Sequence, residues 1–265
     1  MENIAKNAVL DPSLSRRLYR ALTAGNDELF QVIEDSSMEV LESALKNPVF
    51  AENHLLVLLK RRDLTEDLLR TVYRLPMVGE NHKLKVAVVR NPCTPAHVTL
   101  ALLPHLQLFE LVDICHIPGV TPDQKLAAER AIIQRLPTTP LGNKITLGRR
   151  ATTSVAEALI KEGDPRLMEA CLDNPHLKES AIFQFLNGPN ATPEGISIVA
   201  RHPRWKNRAN LQQAILKNPK SPAVWFTLFL PSLKVNELKG IHASRQLSPA
   251  QKKQVAEELN RRGFG

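Results

Sequence analysis

The chain has 265 residues, of which 43% are hydrophobic, 23% charged and only 5% aromatic, and proline (19) outnumbers glycine (11). So few glycines and rings argue against a β-sandwich or barrel, and proline at this frequency in a leucine- and alanine-rich chain marks helices that stop and restart often. The net charge of +8 is lodged in one half: residues 1–138 carry 16 basic and 17 acidic side chains, residues 139–265 carry 19 and 10, so one basic face and an acidic partner are expected.

The opening "MENIAKNAVLDPSLSRR" holds no apolar run long enough for a signal peptide, and no later stretch approaches the roughly 20 apolar residues of a membrane span. A cytoplasmic chain without membrane contact is expected. Cys93, Cys115 and Cys171 cannot all pair and form no C-x-x-C, so a reducing compartment fits better than a disulfide framework.

"DPSLSRRLYRALTAG" predicts a first helix that caps the helices after it. Leu41, Ala44 and Leu45 then fall at i, i+3, i+4, and Leu55, Leu58 and Leu59 repeat the stripe. A further helix start falls at Thr65. Leu84, Ala87 and Val88 form the next stripe, so "KVAVVRN" is helical despite its valines. The corner "NPCTP" (91–95) comes next: proline forbids αR geometry at Asn91, Asn91 suits a left-handed helix end, and Thr94 with Pro95 should start the next helix. "TPDQKLAAERAIIQRL" (121–136) closes the first half, and "LPTTPLGNK" (136–144) is the joint.

The second half repeats the first after 127 positions. Asn47-Pro48 falls on Asn174-Pro175, Asn91-Pro92 on Asn218-Pro219, Thr65 on Thr192, and Glu110-Leu111 on Glu237-Leu238. Met168, Cys171 and Leu172 stand where Leu41, Ala44 and Leu45 did; Leu211, Ala214 and Ile215 match Leu84, Ala87 and Val88. "NPKSP" (218–222) answers "NPCTP", and "SPAQKKQVAEELNRR" (248–262) answers the helix at 121–136. No gap is needed from about residue 37 to 138, and prolines kept in register over that span indicate an internal duplication, itself built of units of roughly 22 residues.

The NP-x-[T/S]-P corner followed by a leucine-rich helix resembles the HEAT-like and leucine-rich-repeat-variant bacterial helical repeats, over most of residues 26–265. The resemblance implies an all-α fold, an α-α superhelix or solenoid, and carries shape rather than chemistry. The variant class also has an iron–sulfur cysteine cluster, which residues 1–30 lack, so no cofactor carries over. The expected organisation is a capping helix in 1–25, a first module in 26–138 and a second in 139–265, as one continuous solenoid.

Chemistry-bearing motifs are sparse. There is no Walker loop, G-x-G-x-x-G, H-E-x-x-H or G-x-S-x-G, so neither a hydrolase nor a transferase has a motif behind it. In "LVDICHIP", Asp113, Cys115 and His116 read as ordinary helix-surface residues, since neighbours on a helix diverge by about 100°. His97 and His105 miss the i, i+4 spacing of a metal pair, and no metal is expected. Cys171 and Trp225 are expected in the core, Cys93 at a partly exposed corner.

The segment "RHPRWKNRANLQQAILKNPK" (201–220) gathers Arg201, Arg204, Lys206, Arg208, Lys217 and Lys220 around Trp205, and its counterpart in the first half lacks the tryptophan. These seven are the candidate binding residues. Trp205 either stacks on a nucleobase while the cations hold phosphate, or plugs a groove between repeats, the reading favoured here. Two functions are open: a non-enzymatic module holding a protein partner on a repeat surface, and nucleic-acid binding through the basic half, in its sharper form as a relative of the HEAT-like DNA glycosylases.

Overall fold

The computed structural model describes residues 12–264, which are helical throughout, with no strand among them. The expectation that no leader is present falls on residues 1–11, outside the described residues. The chain divides into two compact units, 1–131 and 132–265.

The first unit opens with α1 (Pro12–Thr23), α2 (Asn26–Val32), α3 (Met38–Ala44) and α4 (Glu52–Leu58). It continues with α5 (Glu66–Tyr73), the short α6 (Pro76–Glu80) and α7 (His82–Arg90). Then come α8 (Ala96–Leu102), α9 (Leu108–Ile114) and α10 (Pro122–Arg135), whose last residues pass the division. The helices stack in two rows: α1 packs on α3 and α3 on α5, while α2 packs on α4, α4 on α7 and α7 on α9. The stripes lie between them: Leu41, Leu55, Leu68, Leu84 and Leu111 are fully buried. Each such leucine contributes about 1.5–3 kcal/mol of burial, which holds together helices that are individually too short to persist in water.

The second unit has α11 (Leu141–Arg150), α12 (Thr153–Ile160), α13 (Pro165–Leu172), α14 (Glu179–Leu186) and α15 (Pro193–Arg201). It ends with α16 (Ala209–Lys217), α17 (Ala223–Phe229), α18 (Val235–His242) and α19 (Pro249–Arg261). Here α11, α13 and α15 form one row, and α12, α14, α16 and α18 the other. Helix starts are capped where the sequence offers oxygen: Thr65 accepts from the Leu68 N–H, Thr192 from Gly195, Asp164 from Arg166, and Ser248 from Gln251. The α12–α13 turn needs Gly163, at φ 77°, because a Cβ there would sit 2.7 Å from the Asn190 carbonyl oxygen. Between α11 and α13, Gly148 leaves room for the Cys171 sulfur, which a Cβ would approach to 3.1 Å; at the matching positions of the first unit stand Ala21 and Ala44, both fully buried.

The Asn-Pro corners do not use the left-handed cap expected of them. Among the described residues only glycines have positive φ, and Asn91 and Asn218 are extended, at φ −75°, ψ 123° and φ −79°, ψ 126°. The asparagine side chain is the fastener instead. Asn47, Asn91, Asn174 and Asn218 are all buried. Asn47 Nδ2 donates to the Ala21 and Ala24 carbonyls, both at 3.0 Å, while its Oδ1 accepts from the Val49 N–H at 2.9 Å. Asn174 does the same with Gly148 (2.7 Å), Ala151 (2.9 Å) and His176 (2.7 Å). Asn91 reaches Leu59 and Arg61 and accepts from Cys93; Asn218 reaches Leu186 and accepts from Lys220. Each amide thus donates to one or two carbonyls around the end of an earlier helix, where the last turn leaves carbonyls without an intrahelical partner.

Thr94 and Ser221 likewise do not cap. The helices after the corners begin at Ala96 and Ala223 with no side-chain cap, because Pro95 and Pro222 take the flanking position. Thr94 Oγ1 turns back to donate to the Val88 carbonyl at 2.6 Å, and Ser221 Oγ meets no partner among the described residues.

Candidate functional site

The seven candidate residues of 201–220 do not form one site. Trp205 is 3% exposed, and its indole N–H donates to the Leu172 carbonyl at 3.0 Å, so it offers no free face for a base. It fills the position that Val78 fills, also buried, in the first unit. Arg204 lies over the Trp205 ring at 4.4 Å and donates to the carbonyls of Asn174, Pro175 and Leu177, which uses its guanidinium as an internal brace. Lys220 donates to the Pro189 carbonyl and Arg201 to that of Ser197. Lys206 is exposed. Only Arg208 and Lys217 reach a concavity: Lys217 lines it, and Arg208 stands 4.0 Å from Glu179 on its wall.

That concavity is a groove of about 670 Å³ between α14 and α16. Ser180, Phe183, Gln184, Asn187, Gln213 and Lys217 line it. Phe183 is 46% exposed and gives the groove an accessible ring. Hydrogen bonds from Asn210 to Glu179 and from Gln213 to Glu237 (2.7 Å) set the polar wall.

The first unit has a groove of about 570 Å³ at the matching place, between α4 and α7. Its floor is aliphatic: Leu56, Val86, Ala87, Ile117 and Pro118. Its rim is basic, with Lys60 and Arg62 at the end of α4, Lys83 in the first turn of α7 and Arg90 in the last. Two carboxylates stand nearby, each already engaged. Glu110 accepts from His82 Nε2 at 2.9 Å, and Asp113 pairs with Arg90 at 2.9 Å. Burial pushes the Glu110 pKa up, but the Gln107 N–H and His82 outweigh it and hold the carboxyl below its usual range. Lys60, Arg62 and Lys83 form no ion pair among the described residues.

This rim was missed in the sequence because the first half has no net charge to speak of. The signal was local: "KRR" at 60–62 and "HKLK" at 82–85 fall at the end of one helix and the start of another that packs on it.

The sulfur chemistry is inert. Cys115, expected on a helix surface, is 6% exposed, and burial followed by the nearby Glu129 charge pushes its thiol to about 11. Burial pushes the Cys171 thiol to about 12. Neither is a thiolate at neutral pH. Trp225, as expected, is buried; it stacks on Phe229 and donates to Ser197 Oγ. Cys93 is half-buried, its thiol donating to the Arg62 carbonyl. Among the described residues no three His, Cys, Asp or Glu side chains converge as a metal site, and no helix is long and apolar enough to cross a membrane.

No family model, curated protein or solved structure gives a significant match to this chain.

Proposed function

We propose that the chain is a non-enzymatic binding module of the HEAT-like helical-repeat kind, in which each unit is a short α-solenoid and the two derive from one duplicated segment of 127 residues. Its modules would run over 26–138 and 139–265, with 1–25 as the cap. Support for the duplication comes from helix starts 127 positions apart (Met38 and Pro165, Glu52 and Glu179, His82 and Ala209) and from Asn47 and Asn174 making the same three hydrogen bonds. Stacked repeats of this kind expose long surfaces, and their commonest occupant is another protein.

The single observation that carries the binding reading is the recurrence of an open groove at matching places, Leu56, Val86 and Ala87 in one unit answering Phe183, Gln213 and Ala214 in the other. Grooves kept open while their walls diverge fit binding surfaces with different partners. The protein-partner reading is preferred to nucleic acid because the one aromatic within the basic segment is buried and Arg204 is committed to backbone carbonyls.

The test is photo-crosslinking in the native cell, with a benzophenone side chain at Val86 or Phe183 and, as controls, at Tyr19 or Leu228, which are exposed outside both grooves. Adducts of defined mass from the groove positions alone are expected. Equal background from all four positions would refute the reading.

A further inference from the structure

We propose that the groove of the first unit takes an acidic peptide segment, with an apolar side chain on the Leu56–Val86–Ile117 floor and carboxylates against Lys60, Arg62 and Lys83. The proposal rests on the grooves being binding surfaces and adds the class of occupant for one of them.

Charge is the first argument. Glu110 and Asp113 are consumed by His82 and Arg90, which leaves the three remaining cations facing the groove without a carboxylate among the described residues. Lys60 could be explained by the helix dipole, because it follows the C-terminus of α4. Lys83 could not: it stands in the first turn of α7, where the dipole disfavours a cation, and that turn holds no acidic residue. An anion in the groove would offset both the charge and the dipole.

Extent is the second argument. The groove lining runs the length of α7, from Lys83 in its first turn to Arg90 in its last, about 10 Å along the axis at 1.5 Å per residue. That separation matches about three residues of an extended chain at 3.3 Å each, and exceeds the reach of one phosphate or carboxylate. The floor decides the remaining choice. It is aliphatic, and the one aromatic ring in the groove lining, His82, is held by its hydrogen bond to Glu110, so the groove suits a leucine-like anchor better than the stacked bases of single-stranded nucleic acid.

The second unit supplies the control. Where the first has Lys60, Arg62 and Lys83, it has Asn187, Pro189 and Asn210. Lys60→Asn with Lys83→Asn therefore copies side chains that the same helix pair already carries, and both lysines are exposed, so the variant folds.

The experiment uses the full chain and fluorescence anisotropy of a fluorescein-labelled 12-residue peptide of Asp and Glu around a central Leu-Phe. The expected result is saturable binding that weakens between 50 and 200 mM salt. Each exposed charge contact is worth up to about fivefold. Lys60→Asn/Lys83→Asn should therefore lose about two- to 25-fold and Lys60→Glu/Lys83→Glu more than that, with circular dichroism and melting point unchanged. The same peptide with Lys for Asp and Glu should not bind.

No binding at 50 mM salt, or affinity unchanged in Lys60→Glu/Lys83→Glu, would overturn the proposal. So would a 12-nucleotide strand that binds more tightly than the peptide and is lost with that variant. If Lys60→Glu/Lys83→Glu kept the affinity and Phe183→Asp abolished it, the binding-module reading would stand and the acidic-segment assignment would fall.

Discussion

Removing the Asn174 side chain should unfasten the second unit. Asn174 is fully buried and makes three hydrogen bonds, two from Nδ2 to the Gly148 and Ala151 carbonyls and one accepted from the His176 N–H. At about 1 kcal/mol net each, Asn174→Ala loses about 3 kcal/mol, and more if the two carbonyls stay dry and unpaired. A domain of this size shifts by roughly 3–5 °C per kcal/mol, so a melting point lower by about 10 °C is expected for that unit. Asn47→Ala should cost the first unit the same, since its three bonds are alike. Asn190→Ala is the control: its single bond to the Lys161 carbonyl is exposed and should be worth under about 1 kcal/mol. Thermal denaturation by circular dichroism reads the totals, and hydrogen exchange assigns each loss to its unit, with the α11–α13 amides losing protection in Asn174→Ala. If Asn174→Ala melted within 2 °C of the parent, or no worse than Asn190→Ala, the asparagine would not be the fastener.

Three more outcomes are expected of the same molecule. Trp205→Ala should cost about 3–5 kcal/mol as a buried large-to-small change, and single-stranded DNA should leave the tryptophan emission unquenched; quenching on addition would mean that an indole is reached by a base. With a thiol-reactive chromogen at pH 7, the native chain should release one equivalent quickly, from Cys93, and the remaining two only on unfolding, because Cys115 and Cys171 are buried with thiol pKa values of about 11 and 12. At the C-terminus, Arg261 and then Arg262 hydrogen-bond Glu258 and hold its carboxyl below the usual glutamate range, while Arg262 also braces the Leu230, Pro231 and Leu233 carbonyls. A lowered folded pKa contributes stability that is present above the unfolded value, about 4.3, and is lost as pH falls through the folded value. The melting difference between the parent and Arg262→Ala should therefore narrow as pH falls from 6 to 3; a constant difference would remove Glu258 from the account.

The sequence by itself determined the local structure. Proline, the Asn-Pro pairs and leucine at i, i+3, i+4 are short-range constraints, so the class of fold, the helix starts at Thr65, Thr121, Thr192 and Ser248 and the burial of Leu41, Leu84, Cys171 and Trp225 come from neighbours a few residues away. What the asparagines do was not legible. Left-handed caps and buried clamps place the same two letters at the same helix end, and only the position of carbonyls some 23–32 residues back separates them. The seven candidate residues scatter for the same reason, while Trp205 is buried as the favoured reading expected. Arg204, Trp205 and Lys217 are near in sequence, yet one braces a carbonyl cluster, one is buried and one lines a groove. Lys60 and Lys83 are separated in sequence but meet at one groove, because α4 packs on α7. Net charge and composition sum over a chain; a surface is made by packing, and only the tertiary contacts decide which charges share it.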